Sequence, residues 1–138
     1  MAYLVDTNVI SESTKIRPNV FVEQWMNEHG DQYYLSSVTI GEIRRGTERL
    51  PTGERKVLLL NWLTQLCESK RGRILNFKAS TAHVWGQHMA IWQKKGINVA
   101  LLDSFIAATA LRHQLTLVTR NVSDFSNLGL RIVNPFEI

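Results

Sequence analysis

Several features that mark particular classes of protein are scarce or missing in this chain. Cysteine occurs once, so no internal disulfide can form, and the place of Cys67 at the end of an apolar stretch predicts a buried structural thiol. Charged residues are only 20% of the chain and no low-complexity run occurs, which argues against disorder. No apolar run approaches the roughly 18 residues of a membrane helix. The start, MAYLVDTN, carries no signal-peptide pattern, so we expect a cytoplasmic protein without a membrane partner.

What the chain does contain is enough apolar material for one substantial core. Its 138 residues are 44% apolar, which predicts a single domain spanning residues 1–138. The formal net charge is +4 and the pI is about 9.5. This mild basic excess favours an anionic partner such as nucleic acid, although many basic proteins bind none.

Apolar patterning predicts strands and helices that alternate along the chain. Short apolar runs predict strands at 3–5, 33–35, 74–77, 115–118 and 130–133. Helical spacing predicts helices at 19–29, 38–50, 54–70, 79–95 and 104–113. In the third helix, the spacing predicts that Val57, Leu58 and Trp62 face inward. The alternation predicts an α/β fold, a three-layer α/β/α sandwich with a central, mainly parallel sheet, whose ligand site lies at the carboxyl ends of the strands.

Four of the 12 acidic residues stand in apolar surroundings, where a carboxylate is costly unless it is paired, hydrogen-bonded or bound to metal. They are Asp6 after the first strand, Glu42 in SSVTIGEI, Asp103 in VALLDSFIAATA and Asp124 after the fourth strand. Each also has a purely structural interpretation. Asp6 and Asp103 suit helix or turn caps, Glu42 suits a capping box with Thr39, and Asp124 suits an Asx-type turn.

Taken together, the four acids favour a metal site over four separate structural roles. All four are expected at the carboxyl edge of the sheet, where they would repel one another unless a cation neutralised them. Magnesium suits such a site because it prefers oxygen ligands and keeps several waters. The four histidines do not compete for this role, because they are scattered without the spacing of zinc ligands.

Four ordered motifs resemble a known family. They are LVDTNVIS at 4–11, LSSVTIGEIRRG at 35–46, LLDSFIAATA at 101–110 and LTLVTRNVSDF at 115–125, with NPF at 134–136. In this order they resemble PIN-domain ribonucleases, specifically the toxins of VapBC- or FitAB-type toxin–antitoxin systems. The resemblance implies a PIN fold, RNA cleavage that depends on Mg²⁺ (or Mn²⁺ as a substitute), a homodimer and inhibition by a cognate antitoxin.

The resemblance also assigns residues to the site. Asp6, Glu42 and Asp103 match three acidic metal-site positions of the family. Many members carry the fourth acid directly after Thr-Arg, where this chain has Asn121, whereas others have Asn there and an acid three residues later, here Asp124. Polar positions that orient the carboxylates match Asn8, Ser36, Thr39, Thr119 and Asn121.

The sequence also offers candidate surfaces for binding RNA and an antitoxin. Basic side chains that could hold RNA are Arg44, Arg45, Arg49, Arg120 and the 70–73 cluster, which could equally be a solvated face. The antitoxin is expected to lay an apolar helix into a groove around Val20, Val22, Trp25 and Trp62. Messenger, transfer and ribosomal RNA are all compatible substrates, and the resemblance alone favours transfer RNA.

Two alternatives remain open. A module that keeps the fold but only binds RNA or protein is compatible with Asn121 at the position of the fourth acid. Other acid-cluster α/β enzymes fit less well. A HAD-type site needs a second aspartate where Asn8 stands, and a receiver-type site needs a lysine after the last strand, where Asn134 follows Val133.

Overall fold

The computed structural model describes residues 1–137, which contain five β-strands and seven α-helices. The strands are β1 (Tyr3–Val5), β2 (Tyr33–Ser36), β3 (Ile74–Leu75), β4 (Thr116–Val118) and β5 (Ile132–Val133). The helices are α1 (Thr7–Ile10), α2 (Val20–Glu28), α3 (Ser37–Glu48), α4 (Glu54–Ser69), α5 (Ala79–Lys94), α6 (Leu101–His113) and α7 (Val122–Phe125). Two 3₁₀ helices cover Ser11–Thr14 and Pro135–Glu137. The predicted alternation of strands and helices is therefore confirmed.

The strands form one sheet in the order β3-β2-β1-β4-β5, and every pair is parallel. The chain builds outward from β1 to β3 and then returns to the other side of β1 to form β4 and β5. The switch in strand order therefore lies between β1 and β4, where Val5 is in register with Val118. Asp6 and Thr119 follow these two residues, so they leave the sheet side by side at its carboxyl edge.

The sheet separates two cores, because neighbouring strand residues point to opposite faces. Val5 and Val118 pack with Val22 of α2 and with residues of α3 and α4. Leu4 and Leu117 pack instead with Ile106 of α6 and with residues of α5. Helices thus cover both faces of a parallel sheet, and the predicted α/β/α sandwich is confirmed.

Several helix ends differ from those predicted. α3 begins at Ser37 because the Ser36 hydroxyl caps it, accepting a 3.0 Å hydrogen bond from the backbone N–H of Val38. α6 begins at Leu101, three residues before the predicted start, so Asp103 lies inside its first turn. The helices α1 and α7 were not predicted, because a helix of four residues is too short to show a hydrophobic period.

The long helix α4 buries less of its apolar surface than its sequence predicts. Leu63 and Leu66 are buried, but Val57 and Leu58 are 55% and 56% exposed. Their predicted inward orientation is wrong, because the buried side of α4 lies instead at Leu63 and Leu66. Cys67 is half-buried and packs against the core formed with α2 and α3. No helix within residues 1–137 has the length and apolar character needed to cross a bilayer.

Candidate active site

Asp6 is held by three hydrogen bonds at the switch in strand order. It caps α1, and its Oδ1 accepts a 2.8 Å bond from the backbone N–H of Thr7. Its Oδ2 accepts bonds from the Thr119 hydroxyl at 2.9 Å and from Asn8 Nδ2 at 3.2 Å. Burial raises the pKa of Asp6, although these three bonds favour the ionised form and work against that rise. The carboxylate is both a helix cap and a buried, oriented acid.

Glu42 does not form the predicted capping box. Because Ser36 caps α3, Thr39 lies inside the helix rather than at its start, and Glu42 faces another segment. Its Oε1 accepts a 3.0 Å hydrogen bond from the hydroxyl of Thr7. Burial raises the pKa of Glu42 first and the charge of Asp6 raises it further, whereas Arg45 lowers it. Glu42 therefore lies within electrostatic range of Asp6.

Asp103 lies within the first turn of α6, where Ala100 rather than Asp103 is the N-cap, so its interpretation as a cap is wrong. Its pKa is raised to about 6, first by burial and then by the charges of Asp6, Asp124 and Glu42, in that order. These mutual effects define an acidic cluster formed by the four carboxylates. Its members come from four separate segments of the chain.

The fourth member of the acidic cluster is Asp124, and Asn121 lies beside it without an equivalent charge. The negative charge of Asp124 acts on both Asp6 and Asp103. Its side chain is exposed and forms no Asx-type hydrogen bond within residues 1–137. Asn121 contributes through its backbone: its N–H donates a 3.0 Å bond to the Thr119 hydroxyl, and its carbonyl accepts a 3.1 Å bond from the backbone N–H of Asp124.

The predicted supporting residues divide into two groups. Asn8 and Thr119 contact Asp6 directly, and Asn8 Oδ1 also accepts a 3.1 Å bond from the backbone N–H of Arg120. Ser36 and Thr39 make no hydrogen bond to the four acids within residues 1–137: Ser36 caps α3, and the Thr39 hydroxyl is buried without a hydrogen-bond partner in that range. Their role in orienting the carboxylates stays a prediction.

Sequence reasoning missed Thr7, which contacts two members of the acidic cluster. Its backbone N–H bonds to Asp6 and its hydroxyl bonds to Glu42. Its position between Asp6 and Asn8, directly after a buried strand, was the available signal.

Glu12 was also missed. It is 4% exposed, accepts a 2.8 Å bond from the backbone N–H of Asn19 and pairs with Lys15, which ties the loop after α1 to the start of α2.

No basic side chain neutralises the acidic cluster by direct contact. The ion pairs of residues 1–137 engage Glu12, Glu48 and Glu68, and none of the four clustered acids. In the same range, no group of three or more His, Cys, Asp or Glu side chains stands close enough together to hold a metal ion in this conformation. The cluster is thus an open edge of uncompensated carboxylates rather than a closed cage.

The predicted RNA-binding side chains differ in their surroundings. Arg45 is exposed and its charge acts on Glu42, whereas Arg44 pairs with Glu48 at 3.0 Å. The Arg120 guanidinium lies 4.8 Å from the centre of the Phe136 ring. Lys70 is buried, donates a 2.8 Å bond to the carbonyl of Gly30 and covers the ring of Tyr33, which makes it a structural residue.

Comparison with known proteins identifies the family to which this chain belongs. The PIN domain model matches residues 3–129. Toxin FitB from Neisseria gonorrhoeae is 36% identical over 136 residues, covering 97% of this chain and 98% of that protein. The VapC ribonuclease Y4jK from Sinorhizobium fredii is 35% identical, with 97% of each chain covered. The crystal structure of FitAcB from Neisseria gonorrhoeae superposes with a TM-score of 0.91 at 35% identity, covering 99% of both chains. The chain that carries this acidic cluster therefore belongs to the PIN domain family and is a homologue of the VapC ribonucleases and toxin FitB.

Proposed function

We propose that this protein is a single-domain, magnesium-dependent endoribonuclease of residues 1–138 that acts as the toxin of a type II toxin–antitoxin pair. The observation that carries the proposal is the convergence of Asp6, Glu42, Asp103 and Asp124 at the switch in strand order without a basic partner. The named activities of the homologues, toxin and ribonuclease, support the same conclusion.

The donor set of the acidic cluster fits a hydrated divalent cation. The acids supply hard oxygen ligands, and their charges raise the pKa of Asp103, so a cation would relieve repulsion that nothing in residues 1–137 relieves by direct pairing. Asp6 and Asp103 would hold the ion, with Glu42 beside them and Asp124 at the open side. When bound, Mg²⁺ lowers the pKa of a coordinated water and polarises the scissile phosphate.

The chain's own residues prepare this chemistry by fixing the carboxylates. Thr119 and Asn8 hold one oxygen of Asp6, and Thr7 holds the other oxygen through its backbone N–H. The Thr7 hydroxyl holds Glu42 at the same time. Arg45 would attract the RNA backbone to the side of Glu42.

The test is cleavage of end-labelled RNA, including transfer RNA, by purified protein in Mg²⁺ or in EDTA. We expect cleavage only in Mg²⁺, with 5′-phosphate and 3′-hydroxyl ends from attack by water. Asp6→Asn should lower the rate at least about 100-fold, because a hydrogen-bonded, ion-binding carboxylate is lost. Asp31→Asn changes an exposed acid elsewhere and should have no effect.

The same assay separates this function from a binding-only module. A module without catalysis would leave RNA intact in both conditions while still retaining RNA or protein binding. Cleavage that persists in EDTA, or in Asp6→Asn, would contradict the metal site proposed here.

The cognate antitoxin has a suitable docking surface in an apolar groove. This groove, of about 390 Å³, is lined by Val22, Met26, Tyr33, Trp62 and Leu66 among others. Trp62 also borders a second hollow of about 300 Å³ that reaches Thr7 and Glu42. An apolar helix in the groove would therefore place its tail beside the acidic cluster.

Two of the four predicted groove residues do not line this groove. Val22 and Trp62 do. Trp25 is only 6% exposed and stacks on His29 with 4.2 Å between ring centres, because it belongs to the core that α2, α3 and α4 form against the sheet. Val20 is 69% exposed and lies outside the groove lining.

We also infer a homodimer, which rests on the family resemblance. On α5, exposed small residues including Ala79, Ala82 and Gly86 line an open hollow where a second helix could approach closely. Light scattering on the purified protein should give twice the 15.8 kDa chain mass.

A further inference from the structure

A polar cleft of about 420 Å³ opens beside the acidic cluster. Asp103 and Asp124 form its wall on the side of the cluster, so the cleft and the cluster share two carboxylates. Its other walls come from the loop between α5 and α6 and from the segment after α7. A volume of this size falls within the range of small-ligand pockets, roughly 300–1,000 Å³.

The charges of the lining select against a phosphate. The residues of the described chain that line the cleft include two carboxylates and no lysine or arginine. Without a bound cation, Asp103 and Asp124 would repel a phosphate group inside the cleft, and with a cation at the acidic cluster the lining still offers no lysine or arginine to bind one. The cleft therefore suits a neutral part of a ligand whose charged part lies outside, at the acidic cluster.

Two asparagines give the cleft its hydrogen-bonding capacity. Asn98 and Asn127 are exposed, and neither side-chain amide is engaged in a hydrogen bond within residues 1–137. Each amide offers two donors and one acceptor, which is the pattern that pairs with the edge of a nucleobase. Ser123 adds a hydroxyl to the same lining.

The wall that carries these amides is anchored to the core. Leu128 is 3% exposed and packs with Ile97 into the core on the α6 side of the sheet. The backbone N–H of Ile97 donates a 2.9 Å bond to the carbonyl of Trp92, and Gly96 makes the turn with a φ of 73° that suits glycine. The backbone that carries Asn98 and Asn127 is therefore held in place before a ligand arrives, while their side-chain amides stay free to pair with it.

We infer that this cleft binds the nucleobase next to the scissile phosphate and that Asn98 and Asn127 determine which base is preferred. The inference rests on the proposed ribonuclease function and adds a specificity site to it. Because no aromatic side chain of the described residues lines the cleft, the base is read through hydrogen bonds along its edge rather than by stacking on a ring.

The test compares cleavage preferences on an RNA library with randomised sequence. Wild-type protein should favour particular bases at one position beside the cut. The double variant Asn98→Ala/Asn127→Ala should reduce that preference at least about fivefold, since a good side-chain contact to a base edge contributes discrimination of this order or more. Asn61→Ala removes an exposed asparagine on α4 and should keep the wild-type preference. The preference is calculated from the cut ends, so it does not depend on the total rate.

A second measurement keeps this inference separate from the proposed function. Isotope-labelled protein in EDTA is titrated with each of the four ribonucleosides, and the side-chain amide signals of Asn98 and Asn127 are followed by NMR. Signals that move for one nucleoside more than for the others, while those of Asn61 stay still, support the cleft as a base site even if RNA is never cut. The inference is overturned if the double variant keeps the wild-type base preference, or if the amide signals of Asn98 and Asn127 do not shift on addition of any of the four nucleosides.

Discussion

The hydroxyl of Thr7 donates a 3.0 Å hydrogen bond to Oε1 of Glu42, which lies 35 positions away in the chain. The backbone N–H of the same threonine bonds to Oδ1 of Asp6. Through these two bonds, the first residue of α1 sets the relative position of two acids that come from a strand end and from α3. Without the hydroxyl, Glu42 would keep its place on α3 but lose the bond that aims its carboxylate.

Thr7→Val removes this hydroxyl while keeping the side-chain shape. We expect RNA cleavage to fall about tenfold, as is typical when a group that orients a metal-site residue is lost. Since the bond lowers the pKa of Glu42, its loss should also move the acid side of the pH–rate profile to higher pH. Both effects are measured from initial cleavage rates across a pH series.

Two variants control for a merely structural effect of Thr7. Thr7→Ser restores the hydroxyl and should recover most of the rate and the original pH profile. Thr64→Val removes an exposed threonine hydroxyl on α4 and should change neither. A Thr7→Val protein with a slower rate but an unshifted profile would contradict a direct effect on Glu42.

The carboxylate of Asp103 should lower the stability of the folded protein although cleavage requires it. Its folded-state pKa of about 6 lies above the unfolded value of about 3.9, so the ionised carboxylate opposes folding above pH 6. That cost fades as the pH falls below 6 and is gone below about pH 3.9, where Asp103 is protonated in both states. In metal-free buffer near neutral pH, Asp103→Asn should raise the melting temperature by a few degrees, about 1 kcal/mol at most because solvent screens a half-exposed group.

The difference in melting temperature between Asp103→Asn and wild type should shrink toward pH 4, and thermal denaturation followed by circular dichroism measures it. The same variant should lose Mg²⁺-dependent cleavage. A variant less stable than wild type near neutral pH would show that the carboxylate makes a favourable contact that outweighs its repulsion.

Arg45 and Arg44 are neighbours that should differ in their effect on RNA. The positive charge of Arg45 lowers the pKa of Glu42, and Arg45 has no ion-pair partner within residues 1–137. Arg44 instead forms an ion pair with Glu48 on the same helix, α3. Arg45→Ala should weaken RNA binding severalfold and make the salt dependence shallower by about one unit, and Arg44→Ala should do neither. Binding to catalytically inactive Asp6→Asn protein, measured at several salt concentrations, tests the pair. Equal losses in the two variants would indicate only a diffuse basic surface.

The apolar groove should accept the antitoxin through Met26. Met26→Glu places a charge in the lining, so affinity for the cognate antitoxin should fall at least about 30-fold while RNA cleavage by the free protein is kept. Val57→Glu makes the same kind of change at an exposed position outside the groove and should leave affinity intact. Titration calorimetry measures both. Undiminished affinity of Met26→Glu would place the antitoxin on another surface.

Prediction from the sequence succeeded where a pattern is carried by a continuous segment. β1 was predicted to the residue because Tyr3–Val5 is an uninterrupted apolar run that ends at a charged side chain. The starts of α3 and α6 were misplaced because Ser37 and Leu101 resemble the residues around them. The late start predicted for α6 made Asp103 resemble an N-cap, whereas Glu42 resembled a capping-box residue because of the Thr39-x-x-Glu42 pattern, and neither caps a helix.

The amino-acid pattern alone predicts which segments become strands and helices, and it predicts correctly that Asp6, Glu42 and Asp103 are withdrawn at least partly from water, whereas Asp124 is exposed. Local periodicity and the free energy of burying charge are properties that a single segment expresses. Which hydroxyl bonds to which acid follows from the folded arrangement of the strands: Thr119 bonds to Asp6 across 113 positions of the chain, and Thr7 bonds to Glu42 across 35. These contacts depend on the switch in strand order that places β4 beside β1, and no local pattern in either segment encodes that pairing.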